Sequence, residues 1–460
     1  MSLVDLPSHL IVDILKLLPD TRALAAAKIT HSALHYAFKE HTRTILEAII
    51  SNQIPAKMLP FAQAAHSARC KPFGTAHVVE TLRELYFGDQ DPGYNPLVSK
   101  ALGPLTLPKA IDMSEMYHVI RYYTRRIENE IASATNPRFG TPTFAKRQRL
   151  TSKERFIIKR ALYRFEIYCG LFYGDGGGLD ADTKRQNLTK NLARVTFLSY
   201  SPPWVNEQLG SIYDFLEQFL SESFDTVAAH DVEWGARKVG WVRCAKENPW
   251  KQGMLSYGLR FLCRLDLTKG YDAQRALLNS KNFPYTTNML ASHLSEVVVI
   301  KNDEHMRNAT VGHWSRDRYR QRLDDWDEDR HPPVDGVDHF PCWIWTRVTN
   351  ELYMSEAVFH KDNALLRNAG YVLWDHSPDR FGDFYDTIDQ LNHLRRPKMQ
   401  LQMQLEMEES RSFEDRKEIF DKGGQGYWSK GNMRRIEWHG IQDKHDLVLP
   451  GLAEISLQSD

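Results

Sequence analysis

The sequence predicts a mainly α-helical protein in which an N-terminal three-helix motif precedes an irregular helical body with few short strands. Apolar residues recur at steps of three and four in segments spread along the chain, which is the period of an amphipathic helix. Runs of β-branched or alternating apolar residues are few, and no segment repeats at a fixed period. The hydrophobic content of 42% suffices to build apolar cores, and the charged content of 26% is near the average for folded proteins.

The first 50 residues are predicted to hold three short helices. Pro7 suits the first turn of a helix, because its missing N–H needs no partner there. Pro19 ends that helix, and Asp20 is a favoured N-cap for the second. The third helix is predicted to begin near Ser32 and to carry Leu34, Phe38, Ile45 and Ile49 on one side. The apolar stripe of the first helix is Leu10, Ile11, Ile14, Leu15 and Leu18. A stripe this broad on so short a segment indicates an interaction surface.

This N-terminal stretch resembles the F-box, the module that docks substrate receptors onto the Skp-family adaptor of cullin-RING (SCF) ubiquitin ligases. The residues that carry the resemblance are Leu6, Pro7, Leu10, Ile14, Leu18, Pro19 and Leu24. The resemblance implies that these positions dock on helices of the adaptor, as in helix-in-groove recognition. His9 and Leu34 depart from the acidic residue and the Trp usual in the family, so we expect a weaker affinity than that of a fully matching F-box. Segments further on, among them RALYRFEIYCGLF and AGYVLWD, are similar to filamentous-fungal F-box-like proteins.

The remainder of the chain divides at stretches rich in Pro and Gly. After the motif (residues 1–50), the prediction is a loop-rich segment ending in a helix (51–135), a helical body (148–275), a second helical and irregular part (280–440) and a loosely held tail (441–460). Thr151 and Glu154 form a capping box for the best-defined helix of the body. A largely exposed helix is predicted over 398–422, ended by Gly423 and Gly424. Strands are predicted for the runs SEVVVI, FPCWIWTRV and YVLWD.

Motifs that would carry chemistry are weak in this sequence. The Gly-rich run from Gly174 lacks the Lys-Ser/Thr of a phosphate-binding loop, and Ser256 sits one residue away from nucleophile-elbow spacing. His339 and Cys342 are candidate zinc ligands, but their spacing matches no zinc motif, so exposed loop residues are the preferred interpretation. The dense basic run from Lys146 to Arg160 is interpreted as a solvated linker and helix face. We therefore predict no catalytic residue and no cofactor.

Composition narrows the possible partners. Lys+Arg and Asp+Glu balance at 59 each, which argues against a nucleic-acid partner. No apolar run approaches the length of a membrane span, and the N-terminus lacks a secretory signal, so we expect a cytosolic or nuclear location. The preferred function is a non-catalytic protein-interaction protein, resembling the substrate-receptor subunit of an SCF-type ligase, that binds a Skp-family adaptor and an unknown protein target. The alternative is a helical scaffold with a decayed F-box-like element, and an enzyme with a site in the body is least favoured.

Overall fold

The computed structural model describes residues 6–70, 105–132, 150–173, 203–242, 248–279, 365–368, 370–374 and 395–438, with isolated residues between these ranges and the backbone alone over 395–402. This part of the chain is mainly helical, which confirms the predicted fold class. It contains fourteen α-helices, one short 3-10 helix (Ala56–Met58) and two three-residue strands.

The helices of the first half are α1 (Ser8–Lys16), α2 (Thr21–Thr30), α3 (Ser32–Glu40), α4 (Thr42–Gln53), α5 (Leu59–Cys70), α6 (Leu107–Ala132), α7 (Ser152–Tyr173) and α8 (Pro203–Ala228). They are followed by α9 (Val232–Ala236), α10 (Pro249–Leu255), α11 (Leu259–Leu267), α12 (Tyr271–Asn279), α13 (Leu365–Asn368) and α14 (Arg395–Asp421). The strands β1 (Gly424–Gly426) and β2 (Ile436–Trp438) pair antiparallel.

The N-terminal motif has one helix more than predicted. The predicted third helix is in fact two, α3 and α4, because the backbone leaves the helical conformation at His41. The hydroxyl of Thr42 donates to the carbonyl of Phe38 at 2.7 Å, a local bond of the kind that competes with continued helix. Asp20 caps α2 as predicted, its carboxylate accepting the N–H of Ala23 at 2.8 Å. Pro19 lies in the turn between α1 and α2.

Helix α7 lies at the centre of the fold. The predicted capping box forms: the N–H of Thr151 donates to the carboxylate of Glu154 at 2.7 Å, and the N–H of Glu154 donates to the hydroxyl of Thr151 at 3.1 Å. Every residue over 161–172 is buried, and α5, α6 and α8 pack around the helix. A helix buried on all sides belongs to a core rather than to a surface. Its sequence pattern therefore predicts a helix but not which neighbours surround it.

Two charged side chains of α7 are buried with their partners. Glu166 pairs with Arg69 of α5 and accepts the N–H of Leu259, at the start of α11, at 2.7 Å. Arg164 donates to the carbonyl of Val205 at 2.7 Å and to the side chain of Asn206 at 2.8 Å, both on α8. Because a buried charge without a partner is costly, these bonds fix where α5, α8 and α11 lie against α7.

A glycine permits one of these contacts. Gly258 precedes α11 with a φ of 79°, and a Cβ there would lie 2.7 Å from a carboxylate oxygen of Glu166. Both the left-handed conformation and the close approach require glycine. The start of α11 can therefore reach the buried carboxylate.

The N-terminal helices share the core of the body. Both α2 and α4 pack on α6, and one apolar core runs from Ile11 to Leu373. The predicted boundary at residue 50 therefore marks no gap in the packing. Towards the C-terminus, α14 packs on α9 and β1.

The C-terminal helix matches its prediction in position but not wholly in exposure. Met403 and Met407 are exposed, whereas the last turns bury one face against α9. Arg416 on that face is buried and donates to the carbonyls of Ala228 and Asp231 at 2.6 and 2.9 Å. Burial lowers the pKa of Arg416 to about 10, although the charge of Asp231 opposes that effect. Gly423 follows the helix with a φ of 83°, the predicted C-terminal signal.

The strand predictions were wrong wherever the structure describes those segments. Residues 371–374 of the run YVLWD form a turn, and Ile344 and Trp345 of FPCWIWTRV are helical. The run SEVVVI lies outside the described residues, as does the tail 441–460. Short apolar runs do not distinguish a strand from a buried helix or turn, which explains these errors.

The pairing of Glu166 can be tested through stability. The change Glu166→Gln removes the buried charge that Arg69 and the N–H of Leu259 face, so we expect the free energy of unfolding to fall by about 2–4 kcal/mol. Urea denaturation measures this loss. The matched control is Glu414→Gln, an exposed position on α14, which should leave the unfolding midpoint in place. Equal midpoints for both variants would contradict the structural role of Glu166.

Candidate functional site

Helix α1 has two apolar faces. Ile11, Val12 and Leu15 point into the core with 3%, 5% and 1% of their surface exposed. Leu10 and Leu17 are 41% and 78% exposed. Because helical residues at steps of three and four share a face, Leu10 and Ile14 lie on one side of α1, away from the buried set. Leu17 follows the helix directly with a near-helical backbone and continues that side. We call Pro7, Leu10, Ile14 and Leu17 the outer face of α1.

The seven residues predicted to dock on an adaptor differ in how far they are exposed. Pro7, Leu10 and Pro19 are exposed, and Leu6, Ile14 and Leu18 are half-buried. Leu6 and Leu18 pack against the apolar core, so only part of each reaches solvent.

Leu24 requires a correction, because it is fully buried and does not belong to an exposed surface in this conformation. Its helix α2 packs against α3, α4 and α6, and these neighbours enclose it. Leu17 was missed by the sequence reasoning, although its spacing of seven residues from Leu10 could have placed it on the outer face.

Exposed apolar side chains occur in two parts of the described chain, the N-terminal helices and residues 403–438. Of the ten large hydrophobic side chains that are exposed in the described residues, four lie on or directly after the first three helices, and five lie between residues 403 and 438. Ile29 of α2 and Tyr36 of α3 are 79% and 62% exposed, in addition to Leu10 and Leu17. Single exposed apolar residues are ordinary, but a stripe along one helix is typical of a protein-interaction site.

The departures from the F-box pattern fall in different places. His9 is exposed next to Leu10, whereas Leu34 is 6% exposed and belongs to the core. The absence of Trp at position 34 therefore affects the packing of α3, and the outer face of α1 is unaffected by it.

A thiol, an imidazole and a carboxylate meet at the end of α5. The side chain of Cys70 lies 3.6 Å from Nε2 of His66, and Nδ1 of His66 lies 2.7 Å from a carboxylate oxygen of Asp112. Arg260 pairs with the same carboxylate at 2.5 Å. Burial alone would raise the pKa of Asp112, but the hydrogen bond from His66 and the charge of Arg260 lower it below its usual value.

This cluster is insufficient to define a catalytic site. Cys70 is the last residue of α5 and is exposed, and an exposed thiol beside an imidazole does not by itself identify a nucleophile. Sequence reasoning missed the cluster because Asp112 comes from a different helix, α6. Among the three cysteines that the structure describes, Cys70 is the exposed one, whereas Cys169 and Cys263 are buried.

Other sequence candidates have structural roles or lie outside the described residues. Ser256 is buried, and its hydroxyl donates to the carbonyl of Gly253 at 2.6 Å, a local bond at the end of α10. His339, Cys342 and the run from Gly174 lie outside the described residues. Among the residues that are described, no group of three or more His, Cys, Asp or Glu side chains could hold a metal ion.

The basic run is used within the protein where it is described. Arg155 pairs with Glu128 at 2.9 Å, and Arg160 donates to the side chain of Gln208 at 2.7 Å. Lys159 donates to the hydroxyl of Tyr117 at 3.2 Å. These three positions are half-buried, so the predicted solvated helix face also stabilises the contacts of α7 with α6 and α8.

A comparison of the chain with protein-family models, with curated proteins and with solved structures found no match. Within the described part of the chain, no helix is long and apolar enough to cross a membrane.

The two faces of α1 should respond differently to truncation. The double change Ile11→Ala with Leu15→Ala removes core side chains, and we expect each to lower the free energy of unfolding by about 2–5 kcal/mol. The matched double change Leu10→Ala with Leu17→Ala alters only the outer face, so the melting temperature should stay close to that of the unchanged protein. Thermal unfolding by circular dichroism measures both. A large loss for the outer-face pair would place those side chains in a core.

The cysteines should differ in reactivity. In the folded protein Cys70 should react with iodoacetamide well before Cys169 and Cys263, because Cys169 and Cys263 are buried. Burial also raises the pKa of these two thiols, and that of Cys263 rises to about 11. Mass spectrometry of the labelled peptides gives the rate at each site. In guanidinium chloride the three rates should converge, which serves as the control. Labelling of Cys169 at the rate of Cys70 in the folded protein would contradict the structure.

Proposed function

We propose that the protein is a non-catalytic interaction protein that docks through the outer face of α1 onto a Skp-family adaptor, in the manner of a substrate receptor of an SCF-type ubiquitin ligase. The observation that supports this most is the second apolar face of α1. The core needs only Ile11, Val12 and Leu15 from this helix. The exposed Leu10 and Leu17 contribute little to folding, which favours a role in binding.

The chemistry of this surface fits a helical partner. Three apolar side chains at steps of four and three are the pattern of a helix that packs on other helices. Full burial of a Leu side chain is worth roughly 1.5–3 kcal/mol, so the outer face alone supports a moderate affinity. Ile29 and Tyr36 would add contact area if the partner extends beyond α1. Catalysis then belongs to the partner proteins, and the site would operate in the cytosol or nucleus.

A scaffold without a ligase role is the second candidate. It is favoured by the burial of Leu24 and the partial burial of Leu6 and Leu18, three of the seven residues on which the F-box resemblance depends. In that case α1 to α4 would serve chiefly to cover the apolar core, and the outer face would contact a different protein or none.

Adaptor binding separates these two candidates. The full chain and a purified Skp-family adaptor are mixed, and the affinity is measured by calorimetry. The double change Leu10→Asp with Leu17→Asp should weaken binding by about a thousandfold, since each buried anchor residue contributes about 2 kcal/mol. A matched control is Leu267→Asp with Met433→Asp, which alters two residues that are 62% and 51% exposed elsewhere.

We expect the control to bind as well as the unchanged protein, and all three proteins to melt at similar temperatures. Adaptor binding that survives the Leu10 and Leu17 changes would show that the outer face is not the docking site. The absence of binding by the unchanged protein would remove the ligase role and leave the scaffold.

A further inference from the structure

A second surface stands out on α6, away from the outer face of α1. The described residues that line a cleft of about 510 Å³ are His118, Arg121, Tyr122, Arg125, Arg126 and Asn129. These residues recur at steps of three and four, so they share one face of the helix. The face extends over eleven residue steps, or roughly 16 Å at 1.5 Å per residue. That length matches about five residues of an extended chain.

The charges on this face are unevenly neutralised. Arg126 pairs with Asp266 of α11 and, at 2.5 Å, with Glu222 of α8. The hydroxyl of Tyr122 donates to Asp266 as well, at 2.5 Å. Arg121 and Arg125 are exposed and form no ion pair or hydrogen bond with any described residue. Two exposed arginines in the lining of a cleft, with no acidic partner among the described residues, favour an anionic ligand.

The spacing of the two free arginines points to the form of the ligand. Arg121 and Arg125 are four residues apart, which separates them by roughly 6 Å along the helix. Alternate side chains of an extended peptide lie on the same side of the chain, about 6.6 Å apart. A peptide with acidic residues at every second position can therefore present one carboxylate to each arginine.

Nucleic acid fits this cleft less well than an acidic peptide. The one aromatic side chain among the described lining residues, Tyr122, is half-buried and bonded to Asp266, which makes it a poor platform for base stacking. The amide of Asn129 offers both a donor and an acceptor, as a peptide backbone requires.

We propose that this face of α6 binds an extended acidic segment of a partner protein, with alternate carboxylates paired to Arg121 and Arg125. His118 at one end lies 3.6 Å from Asp20 of the N-terminal motif, so the bound segment would run beside the proposed adaptor-docking helices. The identification of the acidic segment as part of a ligase target rests on the proposed function. The binding of an acidic peptide to α6 does not depend on it.

The test uses the full chain and two labelled heptapeptides of Glu and Ser with blocked ends. One has Glu at positions 1, 3, 5 and 7, and the other has Glu at positions 1, 2, 6 and 7, so the net charge is equal and only the first has carboxylates two residues apart. Fluorescence anisotropy at low salt should show about tenfold tighter binding of the alternating peptide, and the affinity should fall as salt is added.

The double change Arg121→Gln with Arg125→Gln should weaken binding of the alternating peptide by about tenfold or more. The matched control, Arg411→Gln with Arg434→Gln, removes two exposed arginines elsewhere and should leave the affinity unchanged. Equal affinity for the two peptides, or no effect of the Arg121 and Arg125 changes, would overturn the proposal. The proposal would also be overturned if a uridine heptanucleotide bound more tightly than the peptide and lost that binding in the Arg121 and Arg125 variant. Complete displacement of the peptide by millimolar inorganic phosphate would overturn it as well.

Adaptor binding by the Arg121 and Arg125 variant is measured in parallel. Loss of peptide binding with adaptor binding retained would show that the two functions are independent.

Discussion

The burial of α7 on all sides over residues 161–172 is the constraint on which the rest of the fold depends. A helix in this position must satisfy its charged side chains inside the protein, because water does not reach them. Arg164 and Glu166 do so through α8, α5 and α11. These bonds are directional, so they set the positions of the surrounding helices more narrowly than apolar packing alone would.

The exposure of the outer face of α1 is a consequence of this arrangement. Helix α6 lies against α7, and the N-terminal helices α2 and α4 pack on α6. Helix α1 then contacts α3 and α4 and lies further from the centre. One apolar face is enough to hold it there. The chain nonetheless provides a second face at Leu10, Ile14 and Leu17, and folding gives no reason for it. The same reasoning applies to α6, where Arg126 is paired, whereas Arg121 and Arg125 have no acidic partner within the described part of the chain.

Local signals predicted the fold best, and tertiary contacts account for most of the errors. The capping box of Thr151 and Glu154, the cap at Asp20 and the stop at Gly423 each depend on a few neighbouring residues, and all were predictable from sequence. Which face of a helix is buried depends on partners far along the chain. For this reason the sequence could not separate Leu10 from Ile11, place Leu24 in the core, or bring Asp112 to His66 and Cys70. The charge state of the α6 face likewise required the positions of Asp266 and Glu222.

The central claim is that the outer face of α1 contacts an adaptor, and site-specific photo-crosslinking tests it most directly. A photoreactive phenylalanine analogue at position 17 places the probe on the most exposed side chain of that face, and the same analogue at position 267 provides a control of comparable exposure. The account predicts that the probe at position 17 forms a covalent product with a Skp-family adaptor and the probe at position 267 does not. Adaptor products at both positions, or at neither, would contradict it.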